Sequence, residues 1–166
     1  ASAPADKAPA EKAPEEDPNL PIRIDRNFVP FPAPLVMKLK TREESKIEVH
    51  PGFATLVLFT SSWCVECQEI APLVKALKKK YEFLGLRVVY AYSKDTPKDS
   101  IGSASEFGIL DTSVLISDEA IKSFLSPELP SISLSDRQGW LSFRKAKVKR
   151  EDLVELDRKL SLMFAF

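Results

Sequence analysis

From Phe53 to Thr60 the chain reads Phe-Ala-Thr-Leu-Val-Leu-Phe-Thr, apolar with no clean alternation, the pattern of a strand covered on both faces. After a Ser-Ser-Trp link the period changes. Ile70, Leu73, Val74, Leu77, Tyr81 and Leu84 recur at spacings of three and four, so they share one face of a helix, and Gly85 follows as its C-cap. Pro72 lies inside this helix, where it must kink the backbone unless the helix starts only a turn before it. Leu86 to Tyr92 reads as the next strand. Strand, crossover helix and strand in that order make the parallel unit of an α/β sheet.

Upstream, Val36 to Leu39 and Lys46 to Val49 predict short edge strands around the polar Thr41 to Ser45 turn, while Phe28 to Pro34 is too rich in proline for a central strand. Between Ser93 and Leu129 the pattern weakens. It predicts a short helix over Ser103 to Phe107 ended by Gly108, a strand over Thr112 to Ile116, and a helix capped by Ser117-Asp-Glu that runs to about Leu125 before Pro127. Ile132 and Leu134 alternate with serines, Asp136 to Gly139 turns, and Trp140 to Phe143 returns as the partner of a hairpin. Leu153, Leu156, Leu160 and Met163 or Phe164 line one face of a closing helix. Residues 1–20, dense in Pro, Ala and Glu, cannot bury enough apolar surface to offset their ordering entropy, which predicts a disordered tether ahead of a domain over 21–166.

Composition narrows the function more than the fold. Lys and Arg number 24 against 24 Asp and Glu, so no field of the whole molecule attracts nucleic acid or an anionic membrane. The basic run Arg144 to Arg150 lacks aromatic interleaving and reads as a solvated helix entry. Gly85, Gly108 and Gly139 are scattered and build no phosphate loop. No stretch reaches the roughly 18 apolar residues of a membrane span, and a signal or membrane tether upstream of residue 1 stays open.

Chemistry gathers at the chain's only two cysteines, Cys64 and Cys67, at the seam between the apolar strand and the amphipathic helix. Three positions apart on a first helical turn, they can come within disulfide reach. The first thiol lies where free backbone N–H groups and the helix dipole favour a thiolate, and the second is placed to resolve a mixed disulfide. Cys64 is therefore the expected exposed nucleophile and Cys67 the more buried resolving thiol. Zinc would need further ligands, and only His50 and scattered carboxylates are present, so no metal or other cofactor is expected. A purely structural bond would close too short a loop to constrain the unfolded chain much. Glu66, inside the motif, disfavours the thiolate and leans the pair toward reduction or exchange rather than oxidation.

On these residues the chain resembles the thioredoxin-like superfamily, especially its extracytoplasmic bacterial thiol-disulfide oxidoreductases of the TlpA/DsbE-like branch. Trp63-Cys64-Val-Glu-Cys67 looks like the active-site motif, Ile70-Ala-Pro72 like its continuation, and Leu129-Pro130-Ser131 like the cis-proline loop. The resemblance implies a thioredoxin-like α/β fold with a central mixed β-sheet flanked by helices and an insertion before the cis-Pro strand. It implies that Pro130 faces the cysteines, that the backbone at Leu129 pairs with an extended substrate segment, and that Trp63 shields the dithiol and helps dock partners. The partners implied are cysteine-containing proteins and a redox donor or acceptor protein, in the periplasm, with a membrane anchor upstream of residue 1 left open. Departures from the family pattern are Val65-Glu66 between the cysteines, Leu58 at the place of a buried acid, and Ile70 where some relatives carry glutamate. Leu58 in place of the buried acid, with the enlarged middle, keeps an alternative open: a non-catalytic interaction module or redox switch on the same fold.

Overall fold

The structure, a computed structural model, describes residues 29–125 and 127–165. The tether expected over residues 1–20 lies outside the described residues, as does the start of the expected domain. The elements are β1 (Leu35–Lys38), β2 (Glu44–Lys46), β3 (Ala54–Thr60), α1 (Val65–Tyr81), β4 (Leu86–Ser93), α2 (Pro97–Glu106), β5 (Ser113–Ile116), β6 (Ser131–Ser135), β7 (Leu141–Lys145) and α3 (Arg150–Met163). All seven strands form one sheet in the order β2-β1-β5-β4-β3-β6-β7. The β3–β4 and β4–β5 pairs are parallel, and the others are antiparallel.

The centre of the sheet explains the missing alternation. Every residue of β3 is buried. Leu56 and Leu58 point into a core with Ile70, Val74 and Leu77 of α1 and Leu153, Leu156 and Leu160 of α3. Val57 and Phe59 point into a second core with Phe31, Ile121 and Phe124. Two packed faces leave β3 no solvent side on which to place polar residues. The rings of Phe31 and Phe59 both meet Phe124 edge-on, at 5.4 and 4.9 Å between centroids.

Several expectations shift. β2 is the edge strand, but β1 lies inside it, paired on its other side to β5 through Met37 and Leu115. α2 begins at Pro97, six residues before the position expected, with Thr96 capping it by accepting the Asp99 N–H at 3.1 Å. Its buried positions are Ser100 and Ala104, too small to register as a hydrophobic stripe; the Thr-Pro-x-Asp start was the legible signal. The helix expected up to Leu125 is a 3₁₀ segment, Ala120–Phe124, closed by Leu125 at φ 69°. Ser117 does cap it, its Oγ accepting the Ala120 N–H at 3.0 Å. The serines of β6 are buried like its apolar residues, and Ser135 Oγ accepts the Thr55 N–H at 2.8 Å. Val29 to Phe31 run along the outer edge of β7, with Leu141 N–H donating to the Val29 carbonyl at 2.6 Å and Phe31 N–H to that of Gly139 at 3.0 Å.

α1 and α3 are locked at one end by Asp157. The Tyr81 hydroxyl donates to the Asp157 carboxylate and is 3.1 Å from its backbone carbonyl, and Lys80 Nζ sits 3.0 Å from both carboxylate oxygens. The Tyr81 hydrogen bond, then the Lys80 ammonium, hold this carboxyl below the usual carboxylate range. A depressed folded value means that the unfolded chain takes up the proton first. The contribution is therefore complete above about pH 4 and is lost as pH falls through the folded value. Asp157→Asn is expected to lower stability by about 1 kcal/mol at pH 7, already reduced for partial exposure. Urea melts should show the gap to wild type closing as pH drops below about 4; a gap independent of pH would contradict the ion pair's role.

Candidate redox site

The end of β3 delivers the chain to the N-terminus of α1 through Ser61, Ser62 and Trp63. Cys64 is the N-cap, extended at φ −89° and ψ 111°, and its Sγ accepts the Cys67 N–H at 3.1 Å. A sulfur thus takes the place usually held by a serine or aspartate oxygen. Cys64 and Cys67 are joined as a disulfide with Cα atoms 5.2 Å apart. Cys64 keeps 5% of its surface and Cys67 none. The order of burial is the one expected, yet Cys64 is itself nearly covered, because Val65 and Glu66 take the exposed positions of the turn. A Glu66 carboxylate oxygen lies 4.0 Å from Cys64 Sγ. In the disulfide this is an approach of an anion to a neutral sulfur; to a thiolate it would be a repulsion.

The residues just before Cys64 are held from the β4–α2 loop. Asp95 accepts the Ser62 N–H at 2.6 Å, the Ser62 hydroxyl at 2.9 Å and the Thr96 N–H at 2.9 Å. Gln68, one turn into α1, donates its side-chain amide to the Ser62 carbonyl at 3.1 Å. The Trp63 indole N–H donates to the Lys94 carbonyl at 2.8 Å, while Trp63 remains 59% exposed. Ser62, Gln68 and Asp95 were not singled out in the sequence. Asp95 had a signal in Asp-Thr-Pro ahead of α2, a capping run that also marks a loop end.

The Leu129–Pro130 peptide is cis. Because Ser131 pairs with Phe59, residue 130 lies level with Thr60, the last residue of β3, at the same edge of the sheet from which the cysteine turn departs. Pro130 is buried and its carbonyl accepts the Val148 N–H at 2.8 Å, whereas neither backbone polar group of half-buried Leu129 is hydrogen-bonded among the described residues. Pro72 is exposed within α1, and the helix continues through it to Tyr81.

Beneath α1 the sheet offers hydrocarbon. Leu58 is fully buried and pairs with Tyr90, whose hydroxyl has no hydrogen-bond partner among the described residues and whose phenol pKa is pushed up by burial. Among the described residues no three His, Cys, Asp or Glu side chains gather as a metal site, and no helix is long and apolar enough to cross a membrane.

The family model described as Thioredoxin matches residues 36–107, a span that holds the cysteine turn, α1 and β4. Solved structures extend the likeness across the sheet. A Chlorobium tepidum protein assigned as thiol:disulfide interchange protein DsbE superposes with a TM-score of 0.74 at 16% identity, covering 83% of this chain and 97% of that one. The chain has a thioredoxin fold. A thioredoxin-family thiol:disulfide interchange protein from the same organism gives 0.71 at 17% identity, over 85% and 99% of the two chains. A secreted Mycobacterium tuberculosis disulfide oxidoreductase gives 0.60 at 14% identity, over 75% and 94%. No curated protein sequence matches the chain. Within this thioredoxin fold, α2, β5 and the 3₁₀ segment occupy the stretch before the cis-proline strand, where an insertion was expected.

If Asp95 fixes the approach to Cys64, Asp95→Ala should cost about 1–2 kcal/mol and leave the Ser62 amide exchanging with solvent at least roughly tenfold faster. Amide hydrogen exchange by NMR checks this, and an unchanged Ser62 rate would remove Asp95 from the site's support.

Proposed function

We propose that this thioredoxin-fold chain is a thiol–disulfide oxidoreductase that reduces or exchanges disulfides in extracytoplasmic proteins through Cys64 and Cys67. The observation that carries the reading is the closed disulfide at the N-terminus of α1, in which one cysteine keeps a sliver of exposure and the other none. In the reduced protein the Cys64 thiolate attacks one sulfur of a client disulfide. That S–S bond breaks, a Cys64–client mixed disulfide forms, and the departing client sulfur takes up a proton. Cys67 then loses its proton and attacks Cys64 Sγ, which releases the second client thiol and restores the Cys64–Cys67 bond. Two electrons pass to the client, and a dithiol donor protein must return them.

Glu66 favours the reductive direction. Its carboxylate beside Cys64 penalises the thiolate and so stabilises the disulfide, which is the oxidised product of a reductase. Trp63 and the unpaired backbone of Leu129 supply two sides of a docking surface, Pro130 fixes the second, and Pro72 belongs to the helix that carries both cysteines. The absence of a carboxylate under α1 leaves proton removal from Cys67 to solvent or to the client, so turnover is expected to be slow rather than absent. The low usage of cysteine and the likeness to a secreted oxidoreductase support an extracytoplasmic compartment. A non-catalytic module is the second reading, favoured by Leu58 in place of a buried acid and by the enlarged middle.

Insulin reduction separates them: the wild type should be active and Cys64→Ser inert. Cys67→Ser should accumulate covalent complexes with client proteins through Cys64, visible on non-reducing gels. A protein that reduces no disulfide and traps nothing would exclude the enzyme. Glu66→Gln should speed alkylation of reduced Cys64 by iodoacetamide about threefold at pH 7, as removal of a nearby negative charge releases thiolate. No change, or a slower reaction, would take Glu66 out of the tuning role.

A further inference from the structure

We propose that the groove beside Trp63 docks the cysteine-bearing segment of a client protein and selects segments with lysine or arginine next to the cysteine. What the docked cysteine does rests on the oxidoreductase reading; what docks rests on the groove's own chemistry. The groove, of about 990 Å³, runs from Trp63 across the ends of β4 and β5 to the start of β1. β5 and the loop that follows it build one wall, and β1 with Arg42 and Glu44 builds another.

Its lining is apolar with an acidic surround. Leu35, Met37 and Leu115 line it, and Leu35 is 53% exposed. Glu44, Asp99 and Asp118 line it too, and none is in an ion pair among the described residues. With Asp95 the carboxylates number four, against the two cations Arg42 and Lys94. Since the chain's formal net charge is zero, the excess of carboxylates in this groove does not follow from an acidic chain overall. A lysine or arginine fits both parts: its methylene stem covers Leu and Met while its head reaches a carboxylate. An acidic segment would meet unneutralised charge of its own sign. Because Trp63 lines the groove and directly precedes Cys64, a segment lying in it runs next to the cysteine turn.

The test uses two peptides that differ only in lysine or glutamate beside one cysteine, blocked as a mixed disulfide with 2-mercaptoethanol. Reduced wild type should release 2-mercaptoethanol from the lysine peptide about tenfold faster than from the glutamate peptide at low ionic strength. The ratio should fall toward one in about 0.5 M salt. It should also fall below about two in the triple variant Glu44→Gln, Asp99→Asn, Asp118→Asn, while bis(2-hydroxyethyl) disulfide, which is uncharged, is reduced at the wild-type rate. Equal rates in wild type, or a preference that survives the triple variant or salt, would overturn the proposal. Should wild type fail to reduce bis(2-hydroxyethyl) disulfide, the oxidoreductase reading falls by itself. Fluorescence anisotropy with serine replacing the peptide cysteine then decides the groove: salt-sensitive binding of the lysine peptide alone, lost in the triple variant, upholds it, and equal binding of both peptides refutes it.

Discussion

Burial of β3 on both of its faces is the constraint from which the rest follows. A strand flanked by a parallel and an antiparallel neighbour, with helices on one side and the Phe31–Phe124 cluster on the other, has no freedom of register or direction. Its C-terminal end is consequently a fixed point, and the four residues after it set where a sulfur can stand. Had one face been open to water, as in many antiparallel sheets, the cysteine turn would rest on a strand able to slip or fray.

The site combines this rigid base with contacts from a loop far along the chain. Asp95 and Lys94 hold Ser62 and Trp63 from the end of the neighbouring parallel strand, so β4 positions the turn as much as α1 does. Charge is arranged differently from packing. The helix N-terminus favours a thiolate while Glu66 opposes it, and the floor under the helix is hydrocarbon with one unpartnered phenol. The reactive sulfur is thus controlled mainly from the solvent side.

What could be read in the sequence was whatever depends on period or on a local rule. The apolar run of β3, the stripe of α1 and the Gly85 cap are local facts, and Gly85 at φ 118° occupies the left-handed conformation that ends the helix. The Cys-x-x-Cys spacing at that seam was enough to place the dithiol, whereas the cis bond at Pro130 was implied only by the family resemblance, since X–Pro bonds are mostly trans. Elements held by tertiary contact were harder. α2 buries only Ser100 and Ala104, so its period is faint. The segment over Ala120–Phe124 is held by Ile121 and Phe124 packing onto the second core, which a capping serine alone does not reveal. β1 looked like an edge because nothing in its own residues says that β5 arrives beside it. Asp95 escaped for the same reason, since its partner lies 33 positions away.

One feature ties the helix to the redox state of its own first residue. The Cys67 N–H that caps α1 points at Cys64 Sγ, a weak acceptor while it belongs to a disulfide and a strong, charge-assisted one as a thiolate. Closing and opening the S–S bond therefore weakens and strengthens the first turn of the helix. By thermodynamic linkage the same free energy appears in both ledgers: whatever the cap adds to the folded reduced chain raises the reduction potential by the equivalent amount. Part of the stability of the reduced chain and part of its redox poise are thus one hydrogen bond measured twice.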